Sequence, residues 1–246
     1  MFPVFQVGPL SIQSNGLILL AGLWLALTLV ERYAHLLGAE AEDLSNLTFY
    51  SVLGAILGSR IFYVLRFPST FAEHPSNLFS LNPGLLDPVG GLLAAILVAV
   101  IFGQRKKLEL LTTLDALTPG LAMMSGAMAL SQLATGSAYG LPTSLPWAID
   151  LWGASRHPSQ IYSLLATGLI FYLIVRKLMT TKPPAGQLFL SFTALSALAR
   201  LFLDAFRGDQ LALLLGMRSS QLAAWVVLAA SLFFIYRRLP EVGENA

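Results

Sequence analysis

Seven apolar stretches run through this chain of 246 residues, at about 16–34, 47–67, 89–104, 111–130, 158–176, 187–206 and 220–236. Each approaches the ~20 residues that a helix needs to cross ~30 Å of hydrocarbon. In lipid no water satisfies the backbone, so each stretch must close its own hydrogen bonds as a helix. Composition agrees: 56% of residues are hydrophobic and 11% charged, with a mean hydropathy of +0.70. A globular domain carries roughly 25% charge, so a soluble cytosolic protein and a disordered chain are both excluded. The expected fold is an all-α integral membrane protein with seven transmembrane helices, one polytopic domain over residues 1–246. The third stretch is short and opens near Gly90-Gly91. The fourth contains Asp115, Pro119 and a run of small residues, which predicts a helix that is bent or enclosed by its neighbours. The N-terminal segment lacks the basic region of a signal peptide, so the first span is expected to be retained.

Lys and Arg in the loops set orientation. Nine follow odd-numbered spans: Arg32, Arg105, Lys106, Lys107, Arg176, Lys177, Lys182, Arg237 and Arg238. Four follow even-numbered spans: Arg66, Arg156, Arg207 and Arg218. The richer side is cytoplasmic by this rule, which puts the N-terminus outside and the C-terminus in the cytoplasm. The net charge of +2 is small and its basic residues are scattered, so no nucleic-acid partner is expected. With no cysteine, the chain has no disulfide, zinc-thiolate site, Fe–S cluster or thiol nucleophile of its own. No metal or cofactor is expected.

Arg60 and Arg200 are the basic residues that fall inside spans. A guanidinium keeps its proton and is costly in hydrocarbon, so each marks a polar cavity or a buried pair. Both sit about 10 Å below the outer surface, at ~1.5 Å per residue. Asp204 follows Arg200 by four residues, on the same helical face. That spacing allows mutual neutralisation as well as a shared anion site. No acid stands at helical spacing from Arg60.

The fifth span is preceded by Arg156-His157-Pro158-Ser159-Gln160-Ile161-Tyr162. Pro158 suits the first turn of a helix. The free N–H groups there, beside Arg156, could receive a phosphate. A solvated Arg-His pair on a capped helix fits the same residues. No second His or acid adjoins His157 in sequence, so neither a triad nor a metal site can be read here.

The heptapeptide Arg156 to Tyr162 resembles a segment of the bacterial phosphatidylglycerol–prolipoprotein diacylglyceryl transferases. Other segments resemble that family in the same order: Gly58-Ser59-Arg60 with Tyr63-Val64, the pair Gly90-Gly91, Gly136 with Gly140, Ala199-Arg200 with Asp204 and Arg207, and Gly216-Met217 with Ser220-Gln221. The resemblance implies a multi-pass protein of the bacterial plasma membrane with no cofactor. It implies transfer of diacylglycerol from phosphatidylglycerol to the lipobox cysteine of a prolipoprotein. It also implies a lipid or phosphate site drawn from Arg60, Gly90, Gly91, Gln132, Gly140, Arg156, His157, Gln160, Tyr162, Arg200 and Asp204. The chemistry needs a base to form the thiolate and cations to hold the leaving phosphate.

Several motif positions differ. Val89 stands where the family has a histidine before its paired glycines. Ala129 and Gln132 stand for the arginine and asparagine of its central signature, and Ser137 for a glutamate. Asp204 is one methylene shorter than the family acid. A valine cannot accept a proton, and an alanine cannot bind phosphate. Three readings follow. The first is a divergent transferase using His157 or Asp87 as base. The second is a catalytically silent relative that binds lipid, a prolipoprotein signal segment or other subunits of a membrane complex. The third is an anion transporter, which an inverted repeat would favour and this sequence lacks.

The charge count is testable by cysteine labelling. Cysteines placed at Gln104 and Lys182 should resist a membrane-impermeant thiol reagent in intact cells, and one at Ser137 should react. The reverse pattern would invert the orientation.

Overall fold

Long helices dominate the chain in a computed structural model that describes residues 4–7, 10–73, 85–181, 183–209, 212–214 and 217–238. Among these, the helices are α1 (Ser14–Ala34), α2 (Ala41–Arg66), α3 (Pro68–Glu73), α4 (Pro88–Lys106), α5 (Leu110–Thr135), α6 (Ser159–Thr181), α7 (Gln187–Leu203) and α8 (Ser219–Arg237). Short 3-10 turns extend α1 through Leu37 and α7 through Phe206. Lys182 and Gly216 lie outside the described residues.

Six of these helices are long and apolar enough to cross a membrane: α1, α2, α4, α6, α7 and α8. The remaining expected span, 111–130, is also a long helix of 26 residues. It is too polar to stand with the six, and its packing explains why it can be. Asp115, Thr118, Pro119, Ala122, Ala127, Ala129 and Ser131 are all buried on it, and it packs against α1, α6 and α7. Neighbouring helices, rather than lipid, cover its polar groups. The helix continues through Pro119 to Gly136, whose left-handed φ of 72° ends it.

Small residues decide which helices touch. On α2 and α4, Gly58 faces Ala94, Gly54 faces Val98, Gly90 faces Phe62, and Gly91 lies against Ala55 and Ser59. On α1 and α5, Gly22 faces Ala127, and Gly120 lies under Ala26 and Val30. Without a hydrophobic drive inside lipid, such close backbone approach is what holds helices together.

Among the described residues, three short antiparallel hairpins accompany the mostly helical fold that was expected: β1–β2 (Val4–Val7 with Leu10–Gln13), β3–β4 (Ile149–Leu151 with Ala154–Arg156) and β5–β6 (Ala212–Leu214 with Met217–Arg218). With two to four residues per strand they carry almost no hydropathy signal, which is why sequence periodicity passes over them.

The α2–α4 contact is open to test. A Cβ at Gly58 would run into the Cβ of Ala94. Gly58→Val should destabilise the protein by about 1–3 kcal/mol, the usual range for overpacking. Unfolding of the purified variant in detergent should show the loss, whereas Gly103→Val, where a side chain would meet open space, should show little.

Candidate functional site

After α5 ends, five successive carbonyls each find a different donor. Gly136 accepts from Trp152 Nε1 at 2.9 Å and Ser137 from Gln160 Nε2 at 2.8 Å. Ala138 accepts from Ser159 Oγ at 2.6 Å, Tyr139 from the Gly208 N–H at 2.8 Å, and Gly140 from Arg156 at 3.2 Å. Ala138 itself holds a left-handed φ of 53°, a conformation that strains a residue with a Cβ. The Leu141 N–H donates to the Phe206 carbonyl at 2.8 Å, and the His157 N–H to Leu141 at 3.0 Å. This segment joins the end of α5, the start of α6 and the turn after α7. Gly140 must be glycine, because a Cβ would strike the His157 backbone.

The heptapeptide thus builds a frame. Arg156 also donates through Nε to Leu151 at 3.0 Å and stacks on the Tyr139 ring at 4.8 Å. The His157 ring lies 5.2 Å from that of Phe206, and its Nδ1 is 3.4 Å from the Tyr162 hydroxyl, which accepts from Trp147 at 2.8 Å. Gln160 is 1% exposed, and its Oε1 has no hydrogen-bond partner among the described residues.

Beneath this frame α5, α6 and α7 enclose a cavity of about 420 Å³. Its polar end holds Gln132, Arg200, Asp204 and Arg207, and its far end Leu121, Met124, Ile170 and Phe192. Ala129 forms part of the wall. The Arg200 guanidinium makes no ion pair or hydrogen bond among the described residues, and the residue is exposed. It does not neutralise Asp204, as the helical spacing allowed. The ionic neighbour of Asp204 is Arg207, 3.7 Å away. Arg207 in turn chelates Asp209 at 3.0 and 2.7 Å. That pair was missed in the sequence. Its signal was an acid two residues after an arginine at a span end.

The other expected site residues lie elsewhere. Arg60 is on α2 and is not among the residues lining the cavity. Gly90 and Gly91 are buried in the α2–α4 contact. Asp87 caps α4: its Oδ1 accepts from the Gly90 N–H at 2.7 Å and its Oδ2 from Arg66 at 3.2 Å. The Gly90 bond, then Arg66, hold this carboxyl below the ordinary range against the effect of burial, which makes it a poor proton acceptor. Val89 is 64% exposed on α4.

The family model for prolipoprotein diacylglyceryl transferase matches residues 3–237. The chain belongs to the prolipoprotein diacylglyceryl transferase family. It is 34% identical over 190 residues to the phosphatidylglycerol–prolipoprotein diacylglyceryl transferase of Bordetella parapertussis, covering 74% of this chain and 72% of that protein. A protein of the same name from Geobacter sulfurreducens is 32% identical over 220 residues, covering 86% and 85%. Another from Erwinia tasmaniensis is 28% identical over 271 residues, covering 97% and 93%. In this family member the heptapeptide residues Arg156, Ser159 and Gln160 turn to backbone carbonyls, while Arg200 faces the cavity.

The frame predicts a stability effect. Ser159→Ala leaves the Ala138 carbonyl without a partner, where both residues are buried. The change should cost about 1–3 kcal/mol, read as a lowered melting temperature in detergent. Thr180→Ala, on an exposed face of α6, should cost much less.

Proposed function

We propose that this chain is a membrane-embedded phospholipid-binding member of the diacylglyceryl transferase family, with impaired transfer. The carrying observation is Arg200, a guanidinium with no partner among the described residues, at the polar end of a cavity whose far end is lined by Leu121, Met124, Ile170 and Phe192. A phosphate would satisfy it, and the apolar end would take glycerol-linked chains. The relatives' names give phosphatidylglycerol as donor and prolipoprotein as acceptor. In such a transfer a thiolate attacks the diacylglycerol carbon, a C–S bond forms, and the C–O bond to the phosphate breaks. In this reading Arg200 holds the leaving phosphate. No histidine lines the cavity among the described residues, and His157 is packed against Tyr162 and Phe206. Val89, Ala129 and Gln132 stand where the family has His, Arg and Asn. Ala129 in the wall also favours a second reading, a silent relative that binds lipid or a lipoprotein segment without turnover.

The reading includes seven spans in the bacterial plasma membrane, N-terminus outside and C-terminus in the cytoplasm. Supporting it, α5 runs beside α7 from start to end. Asp115 near the start of α5 accepts from Gly186 and Phe189 at the start of α7, at 2.6 and 2.7 Å. The segments after the two helices meet again at Gly140 and Arg207.

The decisive assay reconstitutes the purified protein with phosphatidylglycerol and a lipobox peptide and follows diacylglyceryl peptide by mass spectrometry. Relative to the Bordetella protein assayed in parallel, product formation should be at least about 10²–10³-fold slower, the loss typical of one missing preorganised donor. Equal turnover would overturn the impairment. Phospholipid retention unaffected by Arg200→Met would overturn the phosphate site.

A further inference from the structure

At the end of α7 opposite Arg200, a groove of about 380 Å³ opens between α6, α7 and α8. Its apolar floor includes Leu173 and Ile174 of α6, Leu195 of α7 and Ile235 of α8. Its polar lining is Lys177 and Ser191, and no carboxylate lines it. Lys177 stands four residues before the end of α6, and Ser191 four residues after the start of α7. Each is about 6 Å inside its helix end by the helical rise, so the two meet at one depth within the spans.

A lysine this near a helix end ordinarily extends along its own helix to place its charge in water. Lys177 instead crosses to α7, where its Nζ donates to Ser191 Oγ at 2.8 Å. Ser191 Oγ in turn donates to the Gln187 carbonyl at 2.7 Å. The hydroxyl is thereby fixed as an acceptor, and the ammonium is held over the groove. An ammonium has three N–H donors, and Ser191 is the one acceptor that Lys177 has among the described residues. Among those residues no ion pair includes it. Asp115, whose charge reaches this lysine, turns both carboxylate oxygens to the N–H groups of Gly186 and Phe189. The neighbouring helix ends add Arg176, Arg237 and Arg238, all exposed.

We infer that this groove is a second lipid site, which holds a net-anionic phospholipid with its phosphate on the Lys177 ammonium and an acyl chain along Leu173, Leu195 and Ile235. A phosphate supplies acceptors for the two remaining N–H groups. The excess of cations around the groove disfavours a headgroup with a cation of its own, and basic pockets between spans suit anionic headgroups. In the proposed orientation the groove faces the cytoplasmic leaflet. It lies at the other end of the bundle from Arg200, so its occupant is distinct from a lipid in the α5–α6–α7 cavity, and the inference does not depend on that cavity's ligand.

The test places the purified protein in nanodiscs containing phosphatidylglycerol or phosphatidylcholine, each with the same photoreactive diazirine in the upper part of one acyl chain, and maps cross-linked residues by peptide mass spectrometry. Phosphatidylglycerol should label Leu173, Leu195 and Ile235 about tenfold more than phosphatidylcholine, the effect of one hydrogen bond to a charged group. Lys177→Met should remove that excess, and Lys177→Arg should keep it. Arg200→Met should leave labelling in the groove unchanged while lowering it at Leu121 and Phe192 in the cavity, so the two sites are read separately. Equal labelling of the groove by the two lipids in the wild type, or an excess that survives Lys177→Met, overturns the inference and leaves an ordinary boundary-lipid contact. If Lys177→Met fails to fold, the wild-type comparison decides alone.

Discussion

The carbonyls of residues 136–140 emerge in a row beyond the last turn of α5, and no helix or sheet takes them all. Two left-handed residues, Gly136 and Ala138, turn the chain back on itself within three positions, so successive carbonyls require donors from different directions. Donors come from the β3–β4 hairpin, the start of α6 and the turn after α7. An unmet buried carbonyl costs about 1–3 kcal/mol, and several together would rival the roughly 5–15 kcal/mol by which a domain is stable. The arrangement of the three helices around the cavity is therefore tied to this short segment.

The opposite end of the same helices is held by a single carboxylate. Asp115 of α5 receives two N–H groups from the first turn of α7, groups that a helix leaves unsatisfied at its start. With α5 and α7 joined at both ends, side chains in the middle need not bond to one another to hold the walls together. Arg200 and Asp204 can remain apart, although their spacing would suit a pair. Contacts at both ends of α5 and α7 thus fix the wall on which Arg200 stands, while Asp204 one turn further on has its ion pair with Arg207.

How much of this was legible in sequence depends on the range of the interactions involved. Apolar stretches located all seven long helices to within a few residues at most ends, because hydropathy is a local property that bilayer thickness enforces. Asp115, Pro119 and the small residues marked α5 as the enclosed helix for the same reason. The hairpins were invisible, being too short to show a period. Arg200 and Asp204 stood out because an ion in an apolar run is costly wherever it points. The role of the heptapeptide was harder. A basic residue before a helix start reads as a phosphate site, yet Arg156, Ser159 and Gln160 turn toward carbonyls some twenty residues back in the chain. Only the tertiary path of the segment after α5 shows that those acceptors exist.

Family motifs here separate into two kinds by what a substitution disturbs. Gly140 has no room for a Cβ, and Ser159 and Gln160, both buried, answer the carbonyls of Ala138 and Ser137, so changing any of them damages the fold. Gly90 is held in the same way by Phe62 across the α2–α4 contact. Val89 is a surface residue of α4, where a valine meets no packing constraint. Ala129 is a small residue on a cavity wall, where a shorter side chain enlarges the cavity but leaves the helix contacts in place. Positions of the second kind can lose their chemistry without loss of stability. A chain can therefore retain the residues that make a family recognisable independently of those that line its cavity, where Arg200 and Asp204 stand one helical turn apart and Ala129 lies on the wall.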